Sequence, residues 1–407
     1  MHRQILKLVF AACLSGFIGS VMAASGADHP TWVDAWSAAP VLAGPLLKAQ
    51  TVRQVVRTSV GGSNARLRLS NLFGSAALTV GPVHVALHAQ GSAIVPGSDH
   101  VVLFNGKTSV TMAKGESALS DPVAMAINPL QELVVSIYVP VNTVDSPATI
   151  HASGMATAYI TESGDATAAV QFPASETSES RFLLTDVEIA GTAKHTIVAF
   201  GDSITDGVGS TKDANQRWPD VLASRLQADP KLSSIAVANS GIGGNRILHD
   251  QFGPSALSRF DRDVLEKPGV RWIVLLEGIN DIGMSDFEIA AKDKISAQQI
   301  IVGMQTLIAR AHAKGIKIYG ATLTPFGGAE WPYHTAAGEA ERQAINTWIR
   351  HSGAFDGVVD FDIAVRDPSH PEQMRSAFDS GDHLHPNSAG YRAMAAAVDL
   401  NAFAGTP

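Results

Sequence analysis

A serine follows an apolar run in the segment VAFGDSITD, residues 198–206. Ser203 stands where a buried strand would end and a helix would begin. The partial positive charge of a helix N-terminus favours a developing alkoxide, so Ser203 is a candidate nucleophile. A serine here can equally be an N-terminal cap whose hydroxyl only accepts a backbone hydrogen bond. The choice depends on whether the chain also supplies a base and donors for an oxyanion.

Histidine is the usual base for such a serine. Of the 14 histidines, His385 is the best candidate, because Asp382 stands three residues before it and Pro386 follows it. In a tight loop the carboxylate can hold one imidazole nitrogen while the other faces the serine. Pro386 disfavours helical geometry at His385 and helps to fix that loop. The segment therefore predicts an acid–base pair.

The same loop offers a competing interpretation, because His383 and His385 form an H-x-H pair that could ligate a metal ion. No third ligand stands at a recognisable spacing, and the sequence contains no H-E-x-x-H motif. The residues favour a serine–histidine site over a metal centre.

Donors for an oxyanion are available after two further apolar runs. Gly241, Gly243 and Gly244 would let backbone N–H groups approach a substrate, although glycines at such spacing can simply form a tight turn. Asn280 can donate from a neutral amide, or it can start an Asx turn. The glycines do not have the G-x-G-x-x-G spacing or the acidic partner of a dinucleotide site.

Aromatic residues follow the fourth apolar run of this half, in FGGAEWPYHT, residues 326–335. Trp331 and Tyr333 are candidate substrate-binding residues, since aromatic faces suit sugar rings or aryl groups. Packing within the loop would explain them equally well.

The elements that must position these residues alternate between short apolar runs and helical stretches after about residue 192. The predicted helices span 216–227, 255–266, 295–314 and 336–351. Strands buried on both faces that alternate with helices predict a parallel sheet covered by helices on each side. In such a sheet functional groups collect at the carboxyl ends of the strands. We expect a flavodoxin-like, three-layer α/β domain over residues 193–405.

The preceding half has a strand-like pattern without a convincing long amphipathic helix, so residues 30–190 predict a β-sandwich domain of jelly-roll type. Turn signals at 61–64, at Gly81-Pro82 and at Asn105-Gly106 predict hairpins. The stretch 161–180 is rich in Thr, Ser and Ala and predicts a loop or linker near the boundary.

The N-terminus predicts a secretory signal peptide over residues 1–23, because basic residues precede an apolar stretch and a small-residue pattern ends at Ala23. Cleavage after Ala23 would make the protein secreted or periplasmic. The apolar stretch is too short to span a bilayer comfortably. Cys13 is the only cysteine, so the mature chain would hold no disulfide and no thiolate site.

The bulk composition fits a globular protein with two domains: 407 residues, 45% hydrophobic and 17% charged. The net charge is −8, and no basic run occurs. Clustered Lys and Arg are needed to bind phosphate backbones, so a nucleic-acid partner is not expected.

Taken together, four short blocks resemble those of the SGNH or GDSL hydrolases, in the branch of secreted carbohydrate esterases with an extra N-terminal β domain. The blocks are Gly201-Asp202-Ser203, Asn239 with Gly241 and Gly244, Gly278 with Asn280 and Asp281, and Asp382 with His385 and Pro386. After the first block, Ile204 stands where Leu is commonest in the family. The N-terminal half carries a weaker likeness, in DAWSAAP and RLRLSNLFG.

The resemblance implies that Ser203 is a nucleophile, with His385 as base and Asp382 as its orienting carboxylate. It implies an oxyanion hole made by the N–H groups of Ser203 and Gly244 and the side chain of Asn280. No metal or organic cofactor is needed for this chemistry, and the substrate would be an ester, such as a short acyl group on a polysaccharide or oligosaccharide.

Three alternatives stay open at this point. The same site could serve a lipase or lysophospholipase, although no long apolar lid is visible. It could pass the acyl group to a sugar hydroxyl, as an acyltransferase does. The protein could also be a non-catalytic carbohydrate-binding protein, although such a protein need not retain all four blocks.

Overall fold

The computed structural model describes residues 31–285, 294–330 and 332–404. Residues from Thr31 onward form one compact unit. Within it we distinguish a β region, residues 31–190, and an α/β region, residues 195–404. The predicted signal peptide lies outside the described residues. Within the described ranges, no helix is both long enough and apolar enough to cross a bilayer.

The β region contains antiparallel strands in two main sheets, which share one hydrophobic core. The strands, β1 to β16 in chain order, are Trp32–Ser37, Leu42–Ala43, Gln50–Arg57, Gly62–Ser70, Leu78–Val80, Val83–Leu87, His100–Val102, Val110–Met112, Ser117–Leu119, Val123–Ile127, Glu132–Val139, Thr149–His151, Ala158–Thr161, Ala174–Ser178, Arg181–Phe182 and Leu184–Ala190. One sheet has the order β1-β16-β4-β10, with β9 beside β4, and the other has the order β14-β13-β3-β11-β6-β7. Leu67 of the first sheet and Val135 of the second belong to the same buried cluster. The predicted antiparallel sandwich is confirmed.

Two of the three predicted hairpins are wrong. The predicted turn at 61–64 runs into β4, which begins at Gly62 and lies in a different sheet from β3, and β5 and β6 flank Gly81-Pro82 without pairing. Asn105-Gly106 does form a two-residue turn, in which Phe104 and Lys107 exchange both backbone hydrogen bonds, although β7 and β8 on either side pair with β6 and β5 instead of with each other. The turn residues report local backbone geometry, whereas the packing of a sandwich decides which strands pair. The predicted linker at 161–180 is also wrong in part, because β14 lies within it and pairs with β13.

The α/β region contains a five-stranded parallel sheet and its helices. Its strands, β17 to β21, are His195–Gly201, Ile235–Gly241, Val270–Leu276, Lys317–Ala321 and Gly357–Val359. Its helices, α1 to α8, are Ser203–Asp206, Trp218–Ala228, Ala256–Phe260, Ile279–Gly283, Ala297–Ala313, Ala336–His351, Phe361–Val365 and Ser388–Ala396. A π-helical turn over Asp261–Leu265 extends α3, and a 3-10 turn spans Leu400–Phe403. The strand order β18-β17-β19-β20-β21 is the flavodoxin-like order and confirms the predicted fold class.

Local signals set the helix boundaries of this region. Ser296 and Gln299 form a capping box at the start of α5, and the Thr335 side chain caps α6. The predicted helix 336–351 coincides with α6. Because the strands run parallel, their carboxyl ends place the following loops along one edge of the sheet.

The β region lies against β18, an edge strand of the parallel sheet. The Ser37 hydroxyl donates to the Asn239 carbonyl oxygen at 2.8 Å, and Ser59 Oγ accepts from the Val237 N–H at 2.9 Å. The Lys267 ammonium lies 3.2 Å from Asp34 of β1. These contacts cover a sheet edge that would otherwise expose unpaired backbone groups.

Candidate active site

Ser203 is the first residue of α1, in a turn directly after β17. The Asp202 carboxylate caps this helix by accepting the Ile204 N–H at 2.9 Å. The N-terminal cap of α1 is therefore Asp202 and not Ser203. A Cβ at position 201 would lie 2.2 Å from the Leu276 carbonyl oxygen, so the turn requires glycine there. The geometry leaves the Ser203 hydroxyl available for another partner.

That partner is His385. Ser203 Oγ lies 2.8 Å from His385 Nε2, and His385 Nδ1 lies 2.6 Å from Asp382 Oδ2. The three predicted residues therefore form one continuous hydrogen-bonded chain, although 182 residues separate the serine from the histidine. A hydroxyl bonded to an imidazole that is itself held by a carboxylate can be deprotonated as it attacks a carbonyl carbon.

Backbone hydrogen bonds fix the Asp382 carboxylate. Its Oδ1 accepts from the Leu384 N–H at 2.9 Å and from the His385 N–H at 2.8 Å. Burial by itself would raise the pKa of Asp382, but the hydrogen bonds from the side chain and backbone of His385 hold that pKa well below its usual range. The carboxylate stays ionised and can stabilise an imidazolium at His385.

A second carboxylate–histidine pair stands on the same loop and does not reach the serine. His383 Nδ1 lies 2.6 Å from Asp379 Oδ2, and Asp379 Oδ1 accepts the N–H groups of Gly381 and His383. Both ring nitrogens of His385 are already engaged with Asp382 and Ser203. The H-x-H pair thus divides between two carboxylates instead of converging on one metal position.

The two predicted oxyanion donors are connected through Asn245. The Asn280 amide, in α4, donates to the Asn245 carbonyl oxygen at 2.9 Å. Gly244, the preceding residue, has φ = 74°, and a Cβ there would lie 2.7 Å from the Phe252 ring. Only glycine suits this backbone conformation and this close approach. That the N–H groups of Gly244 and Asn280 hold an oxyanion stays a prediction.

Tyr333 has a role that the sequence did not indicate. Its hydroxyl donates to Asn280 Oδ1 at 2.9 Å, and its ring packs against Gly283 and Phe326. Burial raises the pKa of Tyr333 well above its usual value, so the hydroxyl remains a donor. Tyr333 orients the Asn280 amide, and a contact with substrate stays a prediction. Trp331, the other aromatic candidate, lies outside the described residues.

A buried arginine connects three of the loops. Arg259 donates to the carbonyl oxygens of Gly201 at 2.8 Å and Ser240 at 2.7 Å, and to Asn245 Oδ1 at 2.9 Å. It therefore joins the ends of β17 and β18 to the Gly244 loop. No motif marks this residue, because it acts through contacts distant in sequence.

Three buried carboxyl groups lie close to Arg259 or to one another. Burial raises the pKa of Asp202 to about 7 and that of Asp281 to about 7. Burial and the neighbouring Asp202 raise the pKa of Glu277 well above its usual value, and its carboxylate lies 3.8 Å from Arg259. Glu277 was not predicted from the sequence, where its one signal is an acidic residue directly after the apolar run that forms β19.

The β region contributes one ion pair directly to α1, the helix that begins at Ser203. His151 Nε2, in β12, lies 3.0 Å from Asp206 Oδ1, and its Nδ1 lies 2.9 Å from the Ala39 carbonyl oxygen. Asp206 is the last residue of α1, three positions after Ser203. Burial lowers the pKa of His151, but the charge of Asp206 and its hydrogen bonds raise it more, giving a net increase. The β region thus helps to hold α1.

The comparison with protein families gives one match, in the α/β region. Residues 199–393, somewhat less than half of the chain, match the model of the GDSL-like lipase/acylhydrolase family. The matched range includes Ser203, Asn280, Asp382 and His385. A comparison with curated proteins finds no match.

Several solved structures are similar to about half of the chain. A catalytic mutant of the acetylxylan esterase Axe2 from Geobacillus stearothermophilus has 21% identity and a TM-score of 0.40, covering 52% of this chain and 94% of its own. A GDSL-like lipase from Bacteroides thetaiotaomicron has 19% identity and a TM-score of 0.37, covering 52% and 88%. The acetyl xylan esterase AlAXEase has 21% identity and a TM-score of 0.39, covering 50% and 96%. Because these TM-scores are below 0.5, the interpretation of the site depends on the family match and on the geometry of the site itself.

Proposed function

We propose that the protein is a serine esterase that hydrolyses carboxylic esters through an acyl-enzyme, and the match of residues 199–393 to the GDSL-like lipase/acylhydrolase family supports this proposal. The observation that carries the proposal is the hydrogen-bonded chain from Ser203 Oγ through His385 to Asp382. A nucleophile, a base and an orienting carboxylate are the three groups that acyl transfer requires.

In the first half of the reaction, Ser203 Oγ attacks the ester carbonyl carbon while His385 Nε2 takes the hydroxyl proton. The tetrahedral oxyanion accepts hydrogen bonds from the backbone N–H groups of Ser203 and Gly244 and from the Asn280 amide. Asp382 stabilises the imidazolium. The C–O bond to the alcohol then breaks, and His385 returns the proton to the leaving oxygen.

In the second half, water replaces the alcohol. His385 takes a proton from the water as its oxygen attacks the acyl carbon, and the same three donors hold the second oxyanion. Collapse breaks the bond to Ser203 Oγ, which regains its proton from His385. The carboxylic acid leaves, and the enzyme returns to its starting state.

For the substrate we propose short acyl groups on carbohydrate or other small esters, and we propose that the protein acts after secretion. Support for secretion comes from the signal-like residues 1–23, and support for small esters comes from the absence of a long apolar lid in the sequence. Hydrolysis of acetylated xylan, acetylated pectin and a simple lipid, measured side by side, tests the substrate proposal. Release of acid only from the lipid would contradict it.

The catalytic proposal is tested by Ser203→Ala. We expect a loss of at least about 1,000-fold in kcat for p-nitrophenyl acetate, because no other group replaces the nucleophile. Ser210→Ala is a matched control, since Ser203 and Ser210 are 6% and 7% exposed; its kcat should stay within about twofold. Undiminished turnover by the Ser203→Ala variant would contradict the mechanism.

A further inference from the structure

A cleft of about 790 Å³ opens beside the Gly244 loop, and both regions of the protein line it. The β region contributes Val41, Leu42 and Phe73. The α/β region contributes Gly244 and Phe252 on the facing side. A cleft of this volume lies in the range of sites that enclose small organic molecules, about 300–1,000 Å³.

The two walls are held together at the base of the cleft. Ala39 and Val41 of the β region form a small buried cluster with Ile242 of the α/β region. A Cβ at Gly253 would lie 3.2 Å from Ile242 and 3.4 Å from Val41, so the segment that carries Phe252 lies directly against the β region. This packing makes the cleft a defined part of the fold.

The cleft adjoins the reacting groups. It shares Gly244 with the predicted oxyanion hole, and the Phe252 ring lies against the Gly244 Cα. Asp206, at the end of the helix that begins with Ser203, and its partner His151 also line it. An ester whose carbonyl oxygen points to the Gly244 N–H would have one of its two substituents next to this cleft.

The lining favours an uncharged apolar group. Leu42 is 43% exposed and Phe252 is 47% exposed, so both present apolar surface to whatever occupies the cleft. Among the described residues that line it there is no lysine or arginine; Asp206 is paired with His151, and Asp250 is a further carboxylate. Hydrogen bonds from Ser255 lower the pKa of Asp250, so it stays ionised and repels anions.

We infer that this cleft, built jointly by the β region and the Gly244 loop, binds an alkyl or aryl group of an uncharged ester while Ser203 attacks its carbonyl. The inference rests on the proposed esterase function and adds the substrate class that the site selects. The apolar group belongs either to the acid or to the alcohol of the ester, and the two sources are separated by substrate choice.

The test compares four esters by titrating the acid released at constant pH: methyl acetate as reference, methyl hexanoate for the acyl side, hexyl acetate for the alcohol side, and monomethyl adipate for the effect of a negative charge. We expect kcat/KM for methyl hexanoate or hexyl acetate to exceed that for methyl acetate. Monomethyl adipate should be hydrolysed more slowly than methyl hexanoate.

The variants Leu42→Ala and Phe73→Ala should lower the ratio of kcat/KM for the preferred six-carbon ester (methyl hexanoate or hexyl acetate) to that for methyl acetate by about fivefold, because each removes apolar contact with the added methylenes. Leu46→Ala is the matched control, since Leu46 is 47% exposed, lies in the β region and does not line the cleft. Its ratio should equal that of the wild type. Leu42→Lys should raise the rate for monomethyl adipate relative to methyl hexanoate.

An unchanged ratio in both Leu42→Ala and Phe73→Ala, with melting temperatures near the wild-type value, would overturn the inference. The inference would also be overturned if the wild type preferred neither methyl hexanoate nor hexyl acetate to methyl acetate. If these esters are still hydrolysed by Ser203→Ala, the proposed esterase mechanism itself fails. If hydrolysis depends on Ser203 but not on the cleft residues, only the substrate inference fails.

Discussion

The α/β region and the β region serve the same site in different ways. The α/β region supplies the reacting groups from short motifs at strand ends, such as the one containing Ser203 and the one containing Asp382 and His385. The β region supplies single residues without a motif, His151 against Asp206 and Phe73 in the cleft. Under the proposed mechanism, the α/β region carries the reacting groups, and the β region holds α1 through His151 and contributes to the cleft proposed to bind the substrate.

Among the substitutions that compare the two regions, the largest loss of kcat should come from the α/β region, at Asp382. Asp382→Asn removes the charge that stabilises the His385 imidazolium and should lower kcat for p-nitrophenyl acetate by about 100- to 10,000-fold. Asp379→Asn is the matched control, because Asp379 holds His383 on the same loop at the same 2.6 Å distance. Its kcat should fall less than about tenfold. Equal losses of kcat in both variants would mean that the rate depends on the structure of the loop and not on the negative charge of Asp382 beside His385.

A smaller effect should come from Tyr333, which acts through Asn280. Tyr333→Phe leaves Asn280 Oδ1 without its phenolic donor, so the amide is held less firmly, and we expect kcat to fall about three- to tenfold with KM unchanged. Asn280→Ala should cost about 100- to 1,000-fold if its amide is an oxyanion donor. Steady-state kinetics of both variants separates the roles. A raised KM with unchanged kcat in Tyr333→Phe would place Tyr333 in substrate binding instead.

The smallest loss of kcat should come from a substitution in the β region, at His151. His151→Ala leaves Asp206 buried without its imidazole partner and should lower the free energy of unfolding by about 3 kcal/mol. We expect kcat to fall only about twofold to fivefold, because α1 is less firmly held. His84→Ala is a matched control, since His84 is also buried and paired with a carboxylate, Asp99, but lies wholly within the β region. It should lose stability with kcat unchanged.

The His151 contribution should depend on pH in a defined direction. Its folded pKa is raised, so the stabilisation is fully present below the unfolded value of about 6.5 and is lost as pH rises through the folded pKa. Urea denaturation of wild type and His151→Ala should therefore give free-energy curves that converge above neutral pH. A difference that grows with rising pH would contradict the assignment of a charged His151–Asp206 pair.

The sequence predicted the α/β fold well because its signals are local. Thr335 caps α6 through its own side chain, and the continuous apolar strands indicate burial on both faces. The residues Ser203, Asp382 and His385 could be proposed because parallel strand ends meet at one edge. Only the structure shows that their side chains lie within hydrogen-bonding distance.

The β region and the supporting residues were harder to predict because their contacts are distant in sequence. Gly81-Pro82 marks a turn, but the strands on either side pair with other partners. Arg259 donates to Gly201, which is 58 residues away in the sequence. His151 is bonded to Asp206, which is 55 residues away. A single sequence carries no signal for such pairs, since each residue alone fits an ordinary surface or core position.

The central claim, that Ser203 is the nucleophile activated by His385, is tested most directly by covalent labelling. The full chain is treated with a fluorophosphonate, digested and mapped by mass spectrometry. The account predicts a single adduct on the peptide that contains Ser203, absent in Ser203→Ala and formed much more slowly in Asp382→Asn. An adduct on another residue, or equal labelling of Ser203→Ala, would contradict it.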